Sequence, residues 1–579
     1  MLKALVQRYE DECKEHRLPK EGWEKRNVHF ALIIGREGEL LQVVSLMQEV
    51  ERGKKKILRP QELLVPVGET RTSGIYPLFL CDNSSYFLGA DTKGKPKRSA
   101  DCFTAAAKLH EEILADITGE TAQALVHFFH HWQIGKNAVC KHPEIAPYAD
   151  EILAGANLVF RYAGQYVHEA PEIASAWERY RQNRAEEKHG RCLVTGTIEP
   201  IAIKHPALKG VSGAQPTGAM LVSFNENAYE SYGHDGQQGG NAPVSKHAAF
   251  AYGTALNALL ADDAHKKLIG DTTVVYWAAE KSEAAQNVFA GALGDNNEMT
   301  DDLLDKILTD IRDGGDIDYD GVSIPYENPF YILGLAPNAA RVSIRFFLQD
   351  SFGVFLKNLA LYREQMDIIR PSWVKSRNVP LGKLLLETVN PNAKKLMAAP
   401  VMAGAMMRAV LTGMPYPVSV FQNIMIRIRA QQGAEKINPR RAGFLKAYLL
   451  RNRERRITVA LDENETETAY LLGRWFAVLE QAQKMALPEI KETIRDRFFN
   501  SACATPAYVF PLLQKLSLHH IKKLEKAADR VRVEKFLAEI LGKLEAGSIP
   551  RHLPLEEQGI FILGYYHQQQ QWYQKKEAE

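Results

Sequence analysis

The residues of this chain best suited to recognition chemistry lie between Ser223 and Tyr252, in the stretch SFNENAYESYGHDGQQGGNAPVSKHAAFAY. Gly233, Gly236, Gly239 and Gly240 admit positive φ and carry no Cβ to hold a partner away from the backbone. Gln237, Gln238 and Asn241 each offer a donor and an acceptor without charge, the chemistry that reads base edges. Composition alone fits a flexible connector as well. A second polar group sits at Arg71, beside Thr70, Thr72 and Ser73, where a guanidinium and hydroxyls could meet a phosphate or a structural carboxylate. Asn83 adds an amide nearby in sequence. The third signal is charge. Ten Lys or Arg fall between Arg427 and Arg456, Arg440 and Arg441 among them, against Glu435 and Glu454, an excess of +8 over 30 residues that suits a polyanion or a solvated helix face.

Catalytic patterns are weak by comparison. His127 and His131 stand at i and i+4, as metal-binding histidines do, but lack an intervening glutamate and a third ligand. Asp316, Asp318, Asp320, Gly321 and Glu327 match a calcium loop position by position, yet Pro325 and Pro329 would break the exiting helix. No phosphate-cradling GxxxxGK[ST] and no nucleophile elbow occur. Cys13, Cys81, Cys102, Cys140, Cys192 and Cys503 form no CxxC pair, which argues against a zinc ribbon or a disulfide framework and suits free thiols in a reducing cytosol. No cofactor is expected, and a metal-dependent nuclease is the rival from the enzyme class.

The elements expected to position these residues change character along the chain. After an amphipathic N-terminal helix, Asn27 to Gly35 and Glu39 to Met47 flank the turn Arg36-Glu37-Gly38 as a β-hairpin. Tyr76 to Leu80 reads as a short strand, and Ser99 or Asp101 as the cap of a helix reaching about Ile117. Thr121 to Arg184 reads as helical, and Arg191 to Ile203 returns to β. Ser245 is an expected N-cap for a helix from Lys246. The strand DTTVVYWA follows, then helices at Ser282 to Leu293 and Asp301 to Ile311. Alternation in RVSIRFF would put Arg341, Ser343 and Arg345 on one strand face.

From about Leu356 the pattern is helical almost to the end. A long helix from Leu518 to Leu544 would carry Lys522, Lys526 and Arg530 at i, i+4 and i+8, opposite Leu524, Ala528 and Val531. The fold class is therefore α+β: a mixed region over 1–350, a basic helical region over 351–456, and a helical bundle over 457–579. Apolar residues make up 45% and charged residues 25%, an ordinary globular composition, and the formal net charge of +2 requires any nucleic-acid-binding charge to be segregated locally. No membrane span is expected, since the most apolar stretch ends at Arg408 and is too short.

Three blocks carry a resemblance. SFN followed by AYESYG, two glutamines and NAPVSKHAAFAY is similar to the signature of the large subunit of type I-C CRISPR interference complexes, the Cascade effectors. VPVGETRTSGIYPLFLCDNSSYFLG, Val65 to Gly89, and IPYENPFYILGLAPNAARVSIRFF, Ile324 to Phe347, follow the same resemblance in the same order. It implies a non-catalytic, cytoplasmic subunit that binds a guide RNA together with backbone and handle-binding subunits. Such a subunit recognises the protospacer-adjacent motif in double-stranded DNA, helps to open it, stabilises the R-loop and recruits a separate helicase-nuclease. The loop with Gly236, Gln237, Gln238, Gly239 and Asn241 becomes the expected DNA-contacting element, with Arg71, Thr72 and Asn83 next. Arg440, Arg441, Lys522, Lys526 and Arg530 are the expected backbone contacts. The terminal bundle resembles the small subunit of such complexes, which an internal start in the same gene could also produce alone. A general RNA-binding scaffold is the remaining alternative.

Overall fold

The computed structural model describes the chain apart from residues 16, 53, 54, 69–73, 184–187, 225, 231, 232, 234–238, 281, 295–299, 313, 314, 375, 434, 435, 546 and 574–579. The fold is α+β, with sheets in the N-terminal part and mostly helices in the C-terminal half. Two compact units form, residues 1–206 with 223–258, and residues 207–222 with 259–579. The chain therefore enters the second unit for sixteen residues, returns for the glycine-rich loop and its helix, and leaves again.

In the first unit a sheet of five strands is centred on Phe30–Ile34 and Asn157–Tyr162, which run parallel with Phe30 opposite Leu158. Asn157–Tyr162 interrupts the stretch Thr121–Arg184, read as helical with breaks at Pro143, Pro147 and Pro171, because NLVFRY pairs with a strand about 130 residues earlier that local periodicity cannot see. The expected hairpin forms, with Phe30–Ile34 against Leu40–Ser45. His127 and His131 stack 5.9 Å apart, and their Nδ1 atoms donate to the carbonyls of Arg36 and Glu37, so these two side chains secure the hairpin turn. The helices Pro96–Leu114, Glu120–His131 and Pro171–Asn183 share an aromatic core with the sheet through Phe79, Phe87, Phe128, Phe129, Phe160 and Trp177. Residues 76–80 form no strand: Leu80 turns at φ 61° and its N–H donates to buried His110. Neither Ser99 nor Asp101 caps the helix there, which starts at Pro96 with proline in its first turn, and Ser99 is buried within it.

The second unit is built on six strands in the order Ala207–Leu208, Ala219–Met220, Arg341–Ser351, Pro329–Asn338, Thr272–Ala278, Lys266–Ile269. Every residue of Thr272–Ala278 is buried, which explains why its sequence is a continuous run of β-branched and aromatic residues. A bulge opposite Gly334 and Leu335 falls at Arg345, so the alternation expected for Arg341, Ser343 and Arg345 is broken there. Arg345 instead faces Asp271 at 3.5 Å. Asp320 and Gly321, both at positive φ, join the short strands Ile317–Tyr319 and Val322–Ile324, so the calcium-loop lookalike is a β-hairpin.

From Phe352 onward helices pack into one core that runs without interruption into the terminal bundle. The helices Thr468–Ala486 and Leu555–Tyr573 cross most closely at Gly473 and Gly564. A Cβ on either would overlap a facing carbonyl, of Phe561 or of Tyr470, so the crossing requires glycine on both helices. Leu555–Tyr573 also packs on Pro439–Arg453, which joins the terminal bundle to the basic helical region.

Candidate nucleic-acid interface

The glycine-rich loop is rooted by hydrogen bonds at its C-terminal end. Ser245 caps the helix Lys246–Ala261 as expected, its Oγ accepting from the Ala248 N–H at 3.1 Å. The carbonyls of Pro243 and Val244 accept from Leu193 and Ala202, which stitches this end to the hairpin His189–Arg191 with Ile198–Pro200. Cys192 accepts from the N–H of Ser245 at 3.2 Å and of Val194 at 3.4 Å. Burial would raise that thiol, but donors from Thr195 and Ser245 outweigh it and bring it down to about 7.

Gly239 turns at φ 81°, with the Ala202 carbonyl 3.3 Å from where a Cβ would stand, so this glycine answers a real steric demand. Asn241 is exposed, and its Nδ2 donates to the Tyr229 carbonyl at 2.6 Å, closing the loop across twelve residues. That amide therefore clasps the loop. Gly236, Gln237 and Gln238 lie outside the described residues, as do Arg71 and Thr72. Asn83 caps the short helix Ser84–Phe87, accepting from Ser85 at 3.1 Å, so its oxygen shapes the chain next to the strand Cys81–Asn83.

The basic stretch Arg427–Arg456 is divided: Lys436, Arg441 and Lys446 are buried, while Arg429, Arg440, Arg453, Arg455 and Arg456 are exposed. Arg441 is buried; its Nε donates to Glu387 at 2.9 Å and its other nitrogens to the Lys436 carbonyl and Gln431. Arg440 reaches the other oxygen of Glu387 at 2.6 Å and stays half-exposed. Lys436 is buried between the Gln431 carbonyl and Asn500, and burial, then the charge of Arg495, pushes its ammonium down to about 8. Lys446 donates to the Gln365 carbonyl at 3.0 Å inside the core. Arg451 lies 4.0 Å over the Tyr416 ring and bonds Gln365 and the Ala409 carbonyl. Arg453 pairs with Glu556 at 2.6 Å. Partners from distant helices thus hold part of the loudest charge in the sequence as internal structure.

Lys522, Lys526 and Arg530 are exposed, on a different scaffold from the expected single helix. Pro506–Lys522 ends at Lys522, and a second helix runs Ala527–Lys543 with Lys526 as its N-cap, so the three do not follow one helical spacing. Leu524 is buried in the break, while Ala528 and Val531, expected to pack, are exposed. Around this corner Lys515, Lys523, Arg532 and Lys535 are exposed too, and none of the seven forms an ion pair among the described residues. The corner is amphipathic, since Tyr508, Leu512, Leu518 and Val531 are also exposed. His520 is held below its usual value by burial, then by Lys523 and His519.

Sequence reasoning missed Trp373, 78% exposed on a turn between two helices, where Arg370, Lys375, Arg377 and Lys383 occur without an intervening carboxylate. That run was visible as a short basic segment around an aromatic. Among the described residues no group of three or more His, Cys, Asp or Glu is placed to hold a metal ion, and no helix is long and apolar enough to cross a membrane.

The family model for CRISPR-associated protein (Cas_Csd1) matches residues 5–573. No curated protein matches the chain. The chain belongs to this family of CRISPR-associated proteins, the large subunits of Cascade complexes, which work with a guide RNA and other Cascade subunits.

Proposed function

We propose that the chain is the non-catalytic large subunit of a type I-C complex, acting in the cytoplasm, that recognises the protospacer-adjacent motif in duplex DNA. In this reading it helps to separate the strands, stabilises the R-loop and recruits a separate helicase-nuclease. Guide pairing supplies sequence specificity and the protein reads only the short flanking element, a division of labour known for another effector class. The match along nearly the whole chain carries the reading. Two features support it: a loop rooted at Asn241 and Ser245 with two glutamines between its described flanks, and the exposed cations around Lys522, Lys526 and Arg530. Loop contacts set motif preference and the cations meet backbone phosphates. Arg71, Thr72 and Asn83 are further candidates for the motif-reading surface.

The test is binding by the assembled complex to duplexes with and without the motif. Gln237→Ala with Gln238→Ala should reduce discrimination between them, by roughly 1–3 kcal/mol for each lost base-edge contact. Unchanged discrimination moves the reader off this loop.

A C-terminal polypeptide beginning near Ile457 is a second product we propose for the same gene. The packing of Leu555–Tyr573 on Pro439–Arg453 means that such a fragment exposes an apolar face, which a neighbouring subunit of the complex would cover. Mass spectrometry of material from the intact gene tests this, and full-length protein alone refutes it.

A further inference from the structure

The loop between the helices Phe352–Met366 and Leu381–Leu386 presents Trp373, at 78% the most exposed large apolar side chain among the described residues. The loop that carries it is tied down. The Val374 N–H closes the turn on the Pro371 carbonyl at 2.9 Å. Arg370 bonds the Ser376 carbonyl and Asp367, and the Arg377 N–H donates to Asp301 at 2.9 Å. The hydroxyls of Tyr362 and Tyr566 donate to the carbonyls of Val379 and Ile369 at the two ends. Trp373 is thus held out on a fixed turn.

Beside it opens a cavity of about 530 Å³, lined among others by Arg370, Val374, Ser376, Asn378, Lys383 and Arg440, within the ~300–1,000 Å³ range of ligand pockets. A second hollow of about 330 Å³ shares Lys383 and Arg440 with it. Lys383 is exposed and forms no ion pair among the described residues. Two carboxylates line the hollows and both are held, Asp301 by Arg363 at 3.0 Å and Glu387 by Arg440 at 2.6 Å and Arg441 at 2.9 Å.

We propose that Trp373 and this cleft bind single-stranded nucleic acid, the indole stacking on one unpaired base while Lys383 faces an adjoining phosphate. The chemistry selects this occupant. An aromatic tip over a cationic groove is the pattern of single-strand binding, and a base paired in duplex has no free face for the indole. A protein-docking tryptophan sits at the centre of a desolvated patch, whereas the neighbours here are exposed Ser372, Ser376 and Arg377. The proposal rests on the nucleic-acid-handling function above.

The experiment uses the full-length chain, alone and in the assembled complex, with a single-stranded oligonucleotide carrying 2-aminopurine. Trp373→Ala should weaken binding about 5- to 150-fold, the equivalent of one base–aromatic stack, and abolish the change in probe fluorescence. Trp373→Phe should retain most of both, and Lys383→Glu should weaken binding without removing the stacking signal at saturation. Wild-type behaviour of Trp373→Ala, while Lys522→Glu with Lys526→Glu weakens binding, overturns this site and leaves the nucleic-acid function standing. Loss of a partner subunit with oligonucleotide binding intact makes Trp373 a protein contact and overturns the proposal. Absence of binding by wild-type protein in both forms overturns the proposal together with the function beneath it.

Discussion

Between Arg427 and Arg456 ten cationic side chains crowd into 30 residues, yet Lys436, Arg441 and Lys446 lie in the core and Arg440, Arg451 and Arg453 are bound to side chains or carbonyls of other helices. Between Lys515 and Lys535 seven cations stand among Glu525, Asp529 and Glu534, a smaller excess, and all seven face water. The first region uses charge to fix helix positions; the second displays it. A segment's net charge therefore says little about the field at its surface, because a buried cation is neutralised by a partner or loses its proton.

The comparison breaks most sharply at Glu387. Its carboxylate is the shared partner of Arg440, Arg441 and Asn438. Glu387→Ala leaves the buried Arg441 charge uncompensated and should cost about 3–5 kcal/mol, read as a large fall in melting temperature. Alanine at Lys522, Lys523, Lys526 and Arg530 should each change stability by no more than ~0.5 kcal/mol in the same assay. Equal losses in the two regions would erase the distinction.

A smaller effect separates them by pH. The folded-state value of Lys436, about 8, lies below its ordinary 10.5, so between those values the unfolded chain binds the extra proton. Stability should rise as pH increases from 8 to 10.5, as the cost of charging a buried amine is removed, by on the order of 1–3 kcal/mol. The difference in melting temperature between wild type and Lys436→Met should narrow or reverse across that window. A difference that stays flat would mean that Lys436 keeps its proton in the fold.

Several local sequence signals were followed by the structure, although the strand expected at Tyr76–Leu80 and the cap expected at Ser99 or Asp101 were not. The hairpin around Gly38, the cap at Ser245, the strand Thr272–Ala278 and the helix from Glu283 each depend on neighbours in the chain. The strand Asn157–Tyr162 depends on a partner far upstream, and its six residues carry no signal of that pairing. The break between Pro506–Lys522 and Ala527–Lys543 contains neither glycine nor proline; burial of Leu524 accompanies it, a tertiary cause. The site was half legible for the same reason. The exposure of Lys522, Lys526 and Arg530 follows from residue type despite the wrong helix, whereas the burial of Arg441 depends on Glu387, 54 positions away. Trp373 was passed over because exposure is a property of the fold.

The most direct measurement is the salt dependence of nucleic-acid binding by the full-length chain. The slope of log affinity against log salt counts phosphate contacts, at about 0.9 per contact on duplex and 0.7 on single strands. Neutralising Lys522, Lys523, Lys526 and Arg530 should weaken binding to all sequences alike and flatten the slope by roughly 2–4, whereas neutralising Arg453 and Arg455 should leave it near the wild-type value. A slope that collapses with the second set and survives the first would contradict the account.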